Sequence, residues 1–232
     1  MAGNVKVGGN VIATHTGVEG AGTVTLSNVT ASALKMSSSG NTITDSAGNA
    51  VLSESSGTVN INKGTLGSSV VFPAGHVIQV QSHFFDTPVS NNSNTFSKFL
   101  SCTITPKFNT SKFYLNASIM VGTNHGAFAY LLARRNTTSI AIGSSRNNRP
   151  RISASAYDPN TENYIQESVS ISFLDSPTTT EASSALEYSI SFRTPNTSSS
   201  YYVHINRNDR DNDASAADPS MASHLTVFEI AQ

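Results

Sequence analysis

At 232 residues the chain has room for one large β domain or two smaller ones. Charged residues make up 12%, against roughly 25% in ordinary soluble domains, and Ser, Thr and Asn take their place. That excludes a highly charged disordered acceptor, and the net charge of −1 implies neither nucleic acid nor an anionic membrane surface as partner. No apolar run reaches the about 18 residues of a membrane span, and residues 1–4 lead into no signal-like core, so synthesis without secretory export is expected. Cys102 stands alone, so no disulfide framework supports the fold, and it is expected as a small apolar side chain in a strand. A Gly-rich chain without disulfides needs another source of stability, and oligomerisation supplies one.

The chain divides by composition. Residues 1–71 contain no Phe, Tyr or Trp, and twelve of the fifteen glycines fall at or before Gly75. All eleven Phe and all seven Tyr lie from Phe72 onward. A Pro73-Ala74-Gly75 turn marks the seam, so 1–71 is expected as an N-terminal attachment and repetitive β-stalk and 72–232 as a C-terminal β-sandwich head.

In the first segment, Val5 and Val7 precede a Gly8-Gly9 turn and then Val11-Ile12. Gly22-Thr23-Val24-Thr25-Leu26 returns thirty-five residues later as Gly57-Thr58-Val59-Asn60-Ile61, a weak two-copy repeat at strand period. Asn41–Asp45 and Ala50–Ser53 alternate on either side of Ser46-Ala47-Gly48-Asn49, which predicts a hairpin. Residues 30–36 are the one place for a short helix. Each unit offers three or four Val, Ile or Leu, too few to offset an ordering entropy of roughly 1–2 kcal/mol per residue. Three chains winding together would bury these positions along a shared axis, with Phe72 and His76 as candidates for that axis.

Strand-like runs in the second segment begin at Val77–Phe85, then 96–105, 112–122, 127–133, 139–143, 165–174, 186–193, 201–206 and 224–230. Only residues 180–185 suggest a helical turn. This pattern predicts an all-β, antiparallel, jelly-roll-like sandwich.

The head resembles the C-terminal domain that recurs in fibre and other virion structural proteins of tailed phages, especially those of marine cyanobacteria. The similarity rests on Leu131-Leu132-Ala133-Arg134 with Ile140-Ala141-Ile142-Gly143, and on Val169-Ser170-Ile171-Ser172-Phe173-Leu174-Asp175. It continues in Tyr202-Val203-His204-Ile205-Asn206-Arg207 and the closing Leu225-Thr226-Val227-Phe228-Glu229-Ile230. The stalk segments 39–45 and 51–59 are similar to stretches common in phage fibres. The resemblance implies a homotrimer on the virion, its N-terminal part bound to other virion proteins and its head exposed. A looser similarity, resting on strand count and an aromatic last strand, runs to trimeric heads of tumour-necrosis-factor and complement type.

Candidate sites are few. Arg134, Arg135, Arg146, Arg149 and Arg151 cluster in sequence; their planar donor forks suit phosphate or carboxylate groups of a surface glycan, or else pair with acids in a solvated loop. Tyr157 and Tyr164 in the next loop, beside Asn160 and Asn163, suit sugar stacking or serve as rim residues. Asp209, Asp211 and Asp213 have the spacing of a Ca²⁺ loop. The continuation fails, with Ala214 where Gly is needed and Ser220 where Glu is needed, so a solvated loop is the favoured reading. The histidines lack metal-ligand spacing. No cofactor is expected beyond that Ca²⁺ candidate. Catalysis is not expected either, since no acidic residue is read at an apolar, pattern-breaking position. The sequence thus points to a homotrimeric virion fibre that adsorbs to a host-surface glycan, with a capsid-attached decoration protein as the alternative.

Overall fold

The computed structural model describes the strand segments within the first 71 residues together with 72–124, 126–157, 163–196, 198, 200–213 and 216–232. The chain forms two units, Met1–Val70 and Val71–Gln232. In the first, β1 (Gly3–Val7), β2 (Asn10–Thr16) and β3 (Thr23–Val24) make a three-stranded antiparallel sheet. A second such sheet holds β4 (Thr42–Thr44), β5 (Ala50–Ser55) and β6 (Thr58–Ile61). The expected hairpin is present, with Ile43 opposite Leu52. The two copies of the Gly-Thr-Val repeat fall on the third strand of each sheet, so the repeat is one of topology as well as sequence. Residues 30–36 lie outside the described residues.

The second unit is a sandwich of two antiparallel sheets. Its strands are β7 (Val77–Phe85), β8 (Val89–Asn91), β9 (Ser97–Ile104), β10 (Lys112–Thr123), β11 (Phe128–Arg135), β12 (Thr138–Ile140), β13 (Ala154–Tyr157), β14 (Gln166–Asp175), β15 (Leu186–Arg193), β16 (Val203–Ile205) and β17 (Ser223–Ile230). One sheet runs β7-β17-β10-β14, with β16 and β8 continuing beside the C-terminal end of β10. The other runs β9-β15-β11, with β12 and β13 both on the outer side of β11. The long strands β7, β9, β10, β11, β14, β15 and β17 alternate between the sheets, with β12 and β13 staying beside β11, which gives the jelly-roll order. The expected strand over 139–143 stops at Ile140, because Ala141 turns to φ 52°. The expected helical turn is a single 3-10 turn, Glu181–Ser183.

Period-two alternation builds the core. Phe113, Leu115, Ala117, Ile119 and Val121 of β10 face Leu100, Ile190, Phe192, Leu131 and their neighbours across the gap, all buried. Rings bridge the sheets where Phe113 lies 5.8 Å from Tyr188 and Phe99 meets Phe85 at 5.6 Å, and within its own sheet Phe99 meets Phe192 at 5.3 Å. Cys102 is buried as expected. Gly122 is required by close approach, since a Cβ there would stand 2.4 Å from the Arg207 carbonyl oxygen.

The two outer faces differ. On the β9-β15-β11 sheet, Lys98 pairs with Glu187 at 2.5 Å, and Phe96 sits under the guanidinium groups of Arg134 and Arg193 at 5.8 and 4.9 Å. The loop before Phe96 is tied down by Thr194 N donating to Ser93 O and Arg193 Nη1 to Asn94 O. On the β7-β17-β10-β14 sheet, by contrast, a row of apolar side chains crosses four strands as Val80, Phe228, Tyr114 and Leu174. Val77 beside Ile230 extends it, and Phe84 beside His224 lies farther along, beyond the Ser82–Thr226 pair.

Candidate functional site

The most developed polar site grows from the open side of the sandwich, where β12 and β14 end their sheets. Along β11 the inward phase of Ala129, Leu131 and Ala133 continues to Arg135, and along β14 that of Ile171 and Phe173 continues to Asp175. Arg135 Nη1 donates to both carboxylate oxygens of Asp175 at 2.6 Å, and its Nη2 donates to Glu181 Oε1 at 2.8 Å. Tyr188 Oη donates to Asp175 Oδ2 at 2.8 Å. Burial pushes the Tyr188 phenol above its usual range, and the adjacent Asp175 charge adds to this. Glu181, held by Arg135 and by the Thr178 amide and hydroxyl, is lowered to about 2. The cluster is an ionic clamp between the two sheets.

Beside this clamp lies a groove of about 620 Å³ between β12 and β14. Its walls carry the hydroxyl-bearing residues Ser139, Ser153, Ser170, Ser172 and Ser176, with Ile142 and Phe173 as apolar surface. The edge of β14 away from β10 pairs with no described strand, so backbone donors and acceptors remain along it. Arg151 closes the groove from the 141–153 loop, its Nε donating to Gly143 O at 2.7 Å. Ser153 anchors that loop by accepting from Ala133 N at 2.8 Å and donating to Ile140 O at 3.1 Å.

A second polar cluster occupies 204–218. The His204 imidazole is buried; Ser90 Oγ and Arg207 Nη2 meet its Nδ1 at 2.8 and 3.2 Å, and Asp209 Oδ1 meets its Nε2 at 2.9 Å. Burial holds His204 below its ordinary value, with Asp209 opposing. Arg207 pairs with Asp211, and Arg210 Nε with Asp218 at 2.9 Å.

The sequence-derived candidates therefore separate. Arg135 is corrected from a surface ligand to a buried partner of Asp175 and Glu181, because the strand alternation turns it inward. Arg134 lies over Phe96 on the outer face of the other sheet, and Arg146 and Arg149 are exposed in the 141–153 loop, leaving Arg151 as the candidate arginine in the groove besides Arg135. Tyr157 stacks on Phe128 at 4.2 Å, and Tyr164 lies 5.2 Å from the Arg210 guanidinium. Asn160 lies outside the described residues. Asp209 and Asp211 are engaged by His204 and Arg207 while Asp213 is exposed; among the described residues no group of three His, Cys, Asp or Glu is placed to hold a metal. Phe72 is half-buried, and His76 is exposed with its Nδ1 3.0 Å from Pro73 O.

The reading that no acid occupies a pattern-breaking position is also corrected. Asp175 and Glu229 both face inward, on either side of Phe113, and both are buried. Glu229 accepts from Lys107 N, Phe108 N and Ser111 Oγ, and from Gln79 Nε2, so its charge is met by loop donors. Extending the phase of Leu225 and Val227 by one more step would have found Glu229, and the same step finds Arg135 and Asp175.

No protein-family model and no curated protein matches the chain. Among solved structures it is similar to the viral particle of infectious bursal disease virus, at 11% identity and TM-score 0.35 over 74% of this chain and 40% of that one. A structure of the Gt strain of that virus gives 10% and 0.33, over 74% and 43%. A mutant VP2 protein of the same virus, in derived T=1 particles, gives 12% and 0.33, over 73% and 40%. The chain spans about two fifths of the length of each. At these TM-scores the likeness carries no argument about function.

Proposed function

We propose that the chain is a virion structural protein, a homotrimeric fibre whose N-terminal part attaches to the particle and whose jelly-roll head meets a host-surface glycan. The observation that carries this reading is the change of construction at Phe72. Before it lie two three-stranded sheets without a single aromatic residue, after it a sandwich with its own aromatic core. Sheets so poor in large apolar side chains gain stability from association, which is the economy of a fibre shaft. The resemblance of the head to phage fibre domains agrees with it.

The groove between β12 and β14 supplies the adsorption surface. The Ser139 and Ser176 hydroxyls, the open edge of β14 and the Arg151 fork suit an oligosaccharide bearing carboxylate or phosphate. The full-length protein should bind host cells, and Arg151→Ala should weaken that binding at least about tenfold. Absence of cell binding, with antibody against the protein labelling the capsid, would replace adsorption by the decoration role. Absence from the particle altogether would end the virion reading.

A further inference from the structure

We propose that the outer face of the β7-β17-β10-β14 sheet is where the heads of separate copies of this chain meet. The inference rests on the homotrimer reading and gives it a surface. Cross-strand register places Val80, Phe228, Tyr114 and Leu174 in one row, and Val77 and Ile230 in the next. Phe84, Val77, Leu174 and Val80 are 66%, 54%, 49% and 47% exposed in the single chain. Single exposed apolar residues are ordinary, but a band crossing four neighbouring strands marks an interaction surface.

The rest of the face is built to be dried. Below the apolar row, Ser82 Oγ lies 2.9 Å from Thr226 Oγ1, Asn116 Nδ2 donates to Ser172 Oγ at 3.3 Å, and Ser118 Oγ lies 3.2 Å from Ser168 Oγ. These polar groups already satisfy one another within the sheet, so losing water costs them less. Lys112 is the one formally charged side chain among the outward positions of these strands. The opposite sheet instead carries Lys98, Glu187, Arg134 and Arg193 and is overlaid by its own Phe96. A face this neutral offers nothing to a nucleic acid, an acidic peptide or an anionic bilayer.

Two further features favour a second copy as the occupant. Four strands about 4.8 Å apart and nine residues long at about 3.3 Å each give a footprint of roughly 550 Å² before side-chain relief, the order of the about 800 Å² that a stable interface removes from each partner. The first residues of the second unit join this sheet directly, for Gly75 N donates to Ala231 O and Ala231 N to His76 O, both at 2.9 Å. That clasp sits at the end of the sheet that carries Val77 and Ile230. Copies joined anywhere through residues 1–71 would hold their heads at high effective concentration.

The test uses the full-length protein in light scattering and hydroxyl-radical footprinting. Tyr114 in the parent should react at least about fivefold more slowly than Tyr157, which is similarly exposed in the single chain at 42% against 36%. Val80→Glu and Leu174→Glu should abolish that protection, with or without loss of the trimer mass, while Thr137→Glu, in the exposed turn between β11 and β12 of the other sheet, leaves both readouts at parent values. A trimeric parent in which Tyr114 reacts as fast as Tyr157, or in which both glutamate variants keep Tyr114 protected, overturns this interface and leaves the homotrimer standing. A monomeric parent removes the homotrimer reading and this interface together.

Discussion

Arg135 and Arg207 each meet an aspartate, yet Asp175 and its arginine are shut between two sheets while Asp211 is half exposed in a loop. Tyr188 and Glu181 add to the buried pair, which leaves Arg135 Nε as its one donor without a partner among the described residues. The loop pair has water as a ready substitute for either partner. The contrast teaches that burial, not the identity of the paired groups, decides what an ion pair contributes.

Removing one side of the buried pair is the severest way to break this contrast. Arg135→Ala should destabilise the head by about 3–5 kcal/mol, measured by chemical denaturation, because Asp175 is left charged and buried with only the Tyr188 hydroxyl to meet it. Loss of less than about 1 kcal/mol would mean that water reaches the clamp. Next comes the seat of the 204–218 cluster. Gly122→Ala would force the 207–208 backbone away and should lower stability by about 1–3 kcal/mol, with Asp209 drawn off His204.

Acid separates the clusters further. His204 is held below its ordinary 6.5, so the unfolded chain takes up a proton first as pH falls below that value. Stability from this group is therefore full above about 6.5 and declines below it, and His204→Gln should flatten the melting-temperature profile between pH 7 and 5. Glu181 moves the other way, from 4.5 unfolded to about 2 folded. Its contribution is full above 4.5 and disappears as pH falls toward 2, so Glu181→Gln should lose the parent's pH dependence in that window. Smallest of all, Asp211→Ala should change stability by less than about 1 kcal/mol in the same denaturation assay.

Much of the architecture was legible in residue order. The change of composition at Phe72, the 41–53 hairpin and most head strands follow from alternation and turn residues, signals that act within a few positions. The short pairings of β8 and β13 did not, since three or four residues carry too little pattern. The site was less legible for a related reason. Five arginines read as one patch because they are close in sequence, whereas strand phase sends Arg134 outward and Arg135 inward. Arg151 reaches the groove because Ala141 leaves the strand early, a backbone choice that an Ala-Ile-Gly sequence does not announce.

The clasp between Ala231 and residues 75–76 has a mechanical consequence. Residues 75–76 join the head beside its last strand, so a pull on the chain ahead of them loads the β7–β17 ladder first, from the end where Val77 faces Ile230. A fluorophore fused after Gln232 would for the same reason report on the end of the sheet that carries Val77 and Ile230. Labels meant for the groove belong on the 141–153 loop.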